Sequence, residues 1–270
     1  MLLRNLYKGG LLAVATLGIM TSCNDIPENE RFIEVEPVVT KRVTLIQEFT
    51  GMWCTNCPQG ARIVHEIQET YPGAVIAVNM HPENTSFTRP LDGLSLTCPE
   101  ATVMYNYYKP VGFPAAIIDG VGPNSSLAQW AEMTESAVAV PTKVEISSST
   151  DYNATSRELT VNYEVGFTDD YAGDLSVMVW VMENGIKGSQ IDGGRPDKNY
   201  IHNHVLRASV NGEWGQQLGA SFEMNQKIKG TASMTLDKNW IAENCEVVTY
   251  VFRTGDKYVE QATVTDAISK

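Results

Sequence analysis

Two cysteines separated by two residues, Cys54-Thr55-Asn56-Cys57, are the part of this sequence best suited to chemistry. They follow an apolar, β-branched run at residues 41–50. They precede residues 58–71, where Ile63, Ile67 and Tyr71 recur at intervals of four and mark one face of a helix. A thiol at the start of a helix meets the positive end of the helix dipole and unpaired N–H groups, which favours its thiolate. The thiolate is the attacking species in disulfide exchange. A second thiol one turn along can close a disulfide and release a bound substrate. Zinc sites use the same spacing but need a second pair of ligands. The candidates for that pair are Cys98, single histidines, and His202-Asn203-His204, whose imidazoles also read as polar strand positions. The expectation is therefore a dithiol with no metal and no cofactor.

Several positions around the pair fall in a recognisable register. Trp53 immediately precedes Cys54, Glu48 lies six residues before it, and Tyr108-Lys109-Pro110-Val111-Gly112-Phe113-Pro114 follows downstream. Over residues 41–140 this pattern resembles the thioredoxin superfamily. The resemblance implies that Cys54 attacks, that Cys57 resolves the mixed disulfide, and that Glu48 is a buried acid relaying a proton to Cys57. It also implies that Pro114 is a cis-proline facing the dithiol. Such a proline keeps an N–H away from the sulfurs and leaves the backbone of Phe113 free to pair with a substrate strand. Trp53 and Phe113 would form an apolar rim for substrate, or pack into the core. There are departures. The intervening dipeptide is Thr55-Asn56, residues 81–98 look like an insertion, and residues 120–125 leave little room for a last strand. These bear on substrate choice and redox poise. His65 reads as a polar helix position.

Strand-like and helix-like stretches alternate through residues 41–140: strands near 74–80 and 115–119, helices near 99–108 and 126–138. Beyond Pro141 the pattern changes to runs rich in Val, Tyr and Thr at 159–167, 175–182, 205–210 and 247–253. Turn residues such as Glu183-Asn184-Gly185 and Asn211-Gly212 separate them. The expected architecture is an α/β thioredoxin-like domain over 41–141, then an all-β antiparallel, immunoglobulin-like sandwich over 142–270. Glu48-Phe49-Thr50-Gly51 leading into the dithiol, together with Ile201-His202-Asn203-His204-Val205-Leu206-Arg207 and Trp214-Gly215, resembles the 28-kilodalton outer-membrane lipoprotein family of Bacteroides-type bacteria. That resemblance implies an envelope location and no settled activity.

The N-terminus reads as a sorting signal. Arg4 and Lys8 precede a short apolar segment at 11–20, and Met20-Thr21-Ser22-Cys23 resembles a lipobox. Residues 1–22 then form a lipoprotein signal peptide, Cys23 carries the lipid that anchors the chain to the outer membrane, and residues 23–40 form an acidic tether. Removing residues 1–22, which hold two basic residues and no acid, takes the net charge from −12 to −14. A polyanionic surface repels phosphates, which excludes a nucleic-acid partner. The expected partners are thiols or disulfides of exported proteins; the oligomeric state stays open. Cys98 and Cys245 read as a structural bridge or as buried free thiols. Two functions fit: thiol–disulfide exchange, and a surface-binding lipoprotein in which Cys54–Cys57 is a permanent staple.

Overall fold

A computed structural model describes residues 41–268. The expected signal peptide, Cys23 and the expected tether lie outside the described residues. The run TLIQEF forms β1 (Thr44–Phe49), with all six residues buried. Alternation along a strand divides them between two faces. Leu45 and Phe49 enter one apolar core, and Ile46 enters another. Glu48 therefore shares a face with Ile46, the side covered by α1 (Cys57–Thr70). This helix carries Pro58 in its first turn and buries Val64 and Ile67 against that face. β2 (Val75–Met80) runs parallel to β1. α2 (Pro99–Tyr108) returns the chain to β3 (Ala115–Ile118), which is antiparallel to β1.

β4 (Val121–Asn124) then pairs antiparallel with β3, which corrects the expectation that residues 120–125 have no room for a strand. Asp119 and Gly120 both take positive φ, 47° and 83°. Two such residues reverse a hairpin within two positions, so four residues remain for pairing. α3 (Trp130–Val138) closes this half and buries Trp130 completely.

The second half is β throughout: β5 (Val144–Asn153), β6 (Glu158–Phe167), β7 (Tyr171–Glu183), β8 (Ile186–Asp192), β9 (Arg195–His202), β10 (Val205–Ser209), β11 (Gln216–Phe222), β12 (Lys227–Thr235), β13 (Cys245–Arg253) and β14 (Val259–Asp266). Its strands continue the first half's sheet. Nine strands join in the order β14-β13-β7-β10-β2-β1-β3-β4, with β11 also on β7. The apolar run of β7 explains this. Met178, Trp180 and Met182 face the core of the first half, while Val177, Val179 and Val181 face the core of the second. A strand buried on both faces is apolar without alternation. The antiparallel sheet β12-β6-β5 packs over the valine face, and β8 and β9 form a separate hairpin. At the joint, Asn79 donates its N–H to the His204 carbonyl at 2.7 Å and its side-chain amide to the Asn203 carbonyl at 2.9 Å. The architecture is a mixed α/β sheet with antiparallel sheets attached, and all described residues belong to one compact unit. Pro141 separates two sequence patterns that share one sheet.

A buried ion pair ties β1 into this unit. Arg42 and Asp119 are 2% and 1% exposed, and Arg42 Nε donates to Asp119 Oδ2 at 3.1 Å. Arg42 also donates to the Val259 carbonyl, and Asp119 Oδ1 accepts the Leu45 N–H at 2.8 Å. Removing one member of such a pair leaves the other charge buried and uncompensated. Arg42→Met should lower unfolding stability by about 3–5 kcal/mol in urea titrations. Arg62→Ala, which breaks the exposed pair with Asp192, should cost about 1 kcal/mol or less.

Candidate functional site

Cys54 and Cys57 are joined in a disulfide with Cα atoms 5.4 Å apart, inside the usual span for such a bridge. The chain leaves β1 at Phe49, turns through residues 50–56, and enters α1 at Cys57. No acidic side chain sits in the first turn of α1, so nothing there opposes the positive end of the dipole. Both cysteines are buried, at 2% and 1% exposure, whereas the neighbouring Trp53 is 39% exposed. The Arg89 guanidinium lies 5.1 Å over the Trp53 ring. Cys98 and Cys245 are free and buried, so no bridge links them. Burial pushes each of these thiols up to about 12.

Two distant segments hold the dithiol turn. In residues 82–98, the Phe87 carbonyl accepts the Trp53 N–H at 2.9 Å, and the Phe87 ring stacks on Phe113 at 5.1 Å. From the hairpin β8–β9, Ile191 N–H donates to the Met52 carbonyl at 2.8 Å and Gly193 N–H to the Thr55 carbonyl at 3.3 Å. The Gln190 amide, itself buried, donates to the carbonyls of Gly51 and Cys54, both at 3.2 Å. The second half therefore contributes directly to the surroundings of the first half's cysteines.

The Phe113–Pro114 peptide is cis. Phe113 is half-buried and packs against Phe49, Phe87 and Tyr105. Pro114 and Glu48 meet at Gly60 on α1. A Cβ on Gly60 would stand 2.7 Å from Glu48 Oε1 and 3.2 Å from Pro114 Cβ, so only glycine fits there. Glu48 is fully buried, and neither carboxyl oxygen has a hydrogen-bond partner. Desolvation disfavours its charged form and raises its pKa from 4.5 to about 8.

Glu48 and Cys57 open onto a shared cavity of about 100 Å³. Its walls also include His65, His81, His202 and His204, which are all four histidines of the chain. Burial lowers His81 to about 3 and His202 to about 4, and it lowers His204 as well, so these imidazoles are neutral at pH 7. Among the described residues, no group of three His, Cys, Asp or Glu side chains is placed to hold a metal ion. His202 and His204 stand out in the sequence as a pair, but only the fold reveals that His81, Gln190 and Tyr200 face the same place. The one cue to His81 was its position just past an apolar strand.

Two outcomes follow. Below about pH 4.5 Glu48 is protonated whether the chain is folded or not. Between 4.5 and about 8 the unfolded chain releases a proton that the folded chain keeps, so stability falls as pH rises, and above 8 the loss is complete. Glu48→Gln removes this dependence. It should raise stability at pH 7 by on the order of 3 kcal/mol, with little effect at pH 4.5, measured by denaturant titration at both pH values. In the folded, reduced chain at pH 8, iodoacetamide should leave Cys98 and Cys245 unlabelled by mass spectrometry.

Comparison with known proteins places the chain. HBP35 of Porphyromonas gingivalis shares its fold with a TM-score of 0.67 at 15% identity, covering 84% of this chain and 75% of that one. A protein from Agrobacterium tumefaciens superposes with a TM-score of 0.51 at 12% identity, covering 86% and 97%. A domain of the outer membrane lipoprotein Omp28 from Porphyromonas gingivalis aligns at 21% identity over 46% of this chain and 88% of that one, with a TM-score of 0.34. No curated protein matches in sequence. Among the described residues no helix is long and apolar enough to cross a membrane. The sequence profile described as "Outer membrane protein Omp28" matches residues 101–268, more than half the chain, starting after the dithiol. The chain belongs to the Omp28 outer membrane protein family.

Proposed function

We propose that this protein is an envelope lipoprotein, anchored through Cys23, whose thioredoxin-like half exchanges thiols and disulfides with exported proteins. The observation that carries the reading is the Cys54–Cys57 bridge at the N-terminus of α1, with Glu48 buried on the preceding strand and cis-Pro114 packed on the same helix. A parallel β1-α1-β2 unit followed by the antiparallel pair β3–β4 supports the thioredoxin-like identification. In the second half, the sheet β12-β6-β5 faces β7, β11 and β13 across a shared core, which supports an immunoglobulin-like sandwich.

In this reading the reduced Cys54 thiolate attacks one sulfur of a substrate disulfide, and the other substrate sulfur leaves as a thiolate. Glu48, the acid form at rest, gives up its proton to water; its carboxylate then takes the proton of Cys57, which attacks the Cys54 sulfur of the mixed disulfide. The protein disulfide forms, the second substrate thiolate leaves, and two electrons have passed to the substrate. The reverse sequence oxidises a substrate dithiol. Trp53 and Phe113 supply apolar surface beside the reacting sulfurs.

One observation favours a second reading, a binding lipoprotein with a structural staple: both cysteines are almost fully covered. Turnover separates the two. The reduced full chain should reduce insulin disulfides faster than an equal concentration of free dithiothreitol, and Cys54→Ser should fall to background. A wild-type rate no greater than that of the free dithiol contradicts exchange. Metabolic labelling with palmitate should mark the wild-type chain and not Cys23→Ala.

A further inference from the structure

The cavity behind the dithiol contains more unpaired polar groups than core packing accounts for. Both Glu48 oxygens, His81 Nδ1, His202 Nε2, His204 Nδ1 and Asn79 Oδ1 are buried without a hydrogen-bond partner, and each belongs to a residue that lines this space. Native proteins leave few such atoms unsatisfied, because each costs the desolvation of its group. A polar cavity of about 100 Å³ has room for a few waters, each needing two to four polar partners. The lining passes from fully buried Glu48 and Cys57 to exposed His65 and Asn203, so the space connects the buried acid with the surface.

We propose that this histidine-lined chamber is the proton route of the dithiol, in which His81 and His202 position a chain of water between Glu48 and solvent. The inference rests on the exchange reading above and extends it, because His202 comes from β9, in the half that carries no reactive cysteine. Glu48 rests as the carboxylic acid and first releases its proton through the chamber's water to solvent. The carboxylate so formed takes the thiol proton of Cys57 as that sulfur attacks the mixed disulfide, and the acid form is restored for the next turnover. The two imidazoles act as positioning residues and not as carriers. They stay neutral, and a neutral imidazole offers one donor and one acceptor to water. One nitrogen of His202 is engaged by the Ser189 backbone and the other is left for the chamber. The rings of His81 and His202 stand 6.4 Å apart, centroid to centroid, nearly perpendicular. Tyr200 lines the same wall.

The test separates the two chemical steps in the full-length, reduced chain. Oxidised glutathione is added, the reaction is quenched in acid at intervals, and mass spectrometry distinguishes glutathione on Cys54 from the closed Cys54–Cys57 disulfide. The first step is the internal reference. His202→Phe fills the chamber with an apolar ring and should slow closure about tenfold or more relative to capture of glutathione. His202→Gln, which keeps a donor and an acceptor, should recover most of that loss. His81→Phe repeats the test from the other wall should His202→Phe fail to fold. Closure at the wild-type rate in His202→Phe and His81→Phe overturns the proton route while leaving exchange intact. A wild-type chain that never captures glutathione on Cys54 removes the exchange reading, and the proton route with it.

Discussion

A carboxyl group buried between a sheet and a helix, with no hydrogen bond to protein at either oxygen, constrains everything built around it. An ionised carboxylate in such a place costs several kcal/mol, and the protein avoids most of that by keeping Glu48 protonated at neutral pH. The residue opposes local preference: it is an acid in an otherwise buried strand, on the same face as Ile46. Departures of this kind from consistent core design concentrate at functional sites. Its surroundings are shaped accordingly. Gly60 removes the side chain that would collide with it, Pro114 closes the neighbouring space, and the polar cavity opens behind it.

The second half of the chain completes this environment. β7 is apolar on both faces because it separates two cores, and β10 carries the sheet across to β2 through the hydrogen bonds of Asn79. From that platform the β8–β9 hairpin reaches back to the dithiol. Gln190 holds the carbonyls of Gly51 and Cys54, and Tyr200 and His202 wall the cavity. The family match begins after Cys54 and Cys57, so the matched segment supplies the hairpin and seven of the shared sheet's nine strands, all but β1 and β2. The Cys54–Cys57 bridge and part of its surroundings thus come from different stretches of chain.

Legibility in the sequence followed locality. The runs at 44–49, 75–80 and 245–253 are recognisable because β-branched, apolar residues crowd together, and the helix at 99–108 because a proline starts it. The Tyr108 to Pro114 pattern pointed to the cis peptide. β5 was hidden: the inward positions of VEISSSTDYN are Val144, Ile146, Ser148, Thr150 and Tyr152, and Ser148 and Thr150 interrupt the apolar alternation. β8 and β9 were hidden because they bury few apolar side chains and gain their role from contacts with residues about 130 positions earlier in the chain, among them the Gln190–Cys54 contact at a separation of 136. The cavity was invisible for the same reason: His81 and His202 meet only after β10 joins β2. The short β4 was missed because a two-residue left-handed turn leaves room that composition does not reveal.

Whether the Cys54–Cys57 bridge is a working redox couple or a fixed staple is decided by its reduction potential. Equilibration of the full chain with glutathione and dithiothreitol redox buffers at pH 7, read by thiol alkylation, gives that value. The account predicts a potential above about −300 mV, in the range of exchanging pairs. A potential well below about −300 mV would mark the bridge as structural and contradict the exchange chemistry.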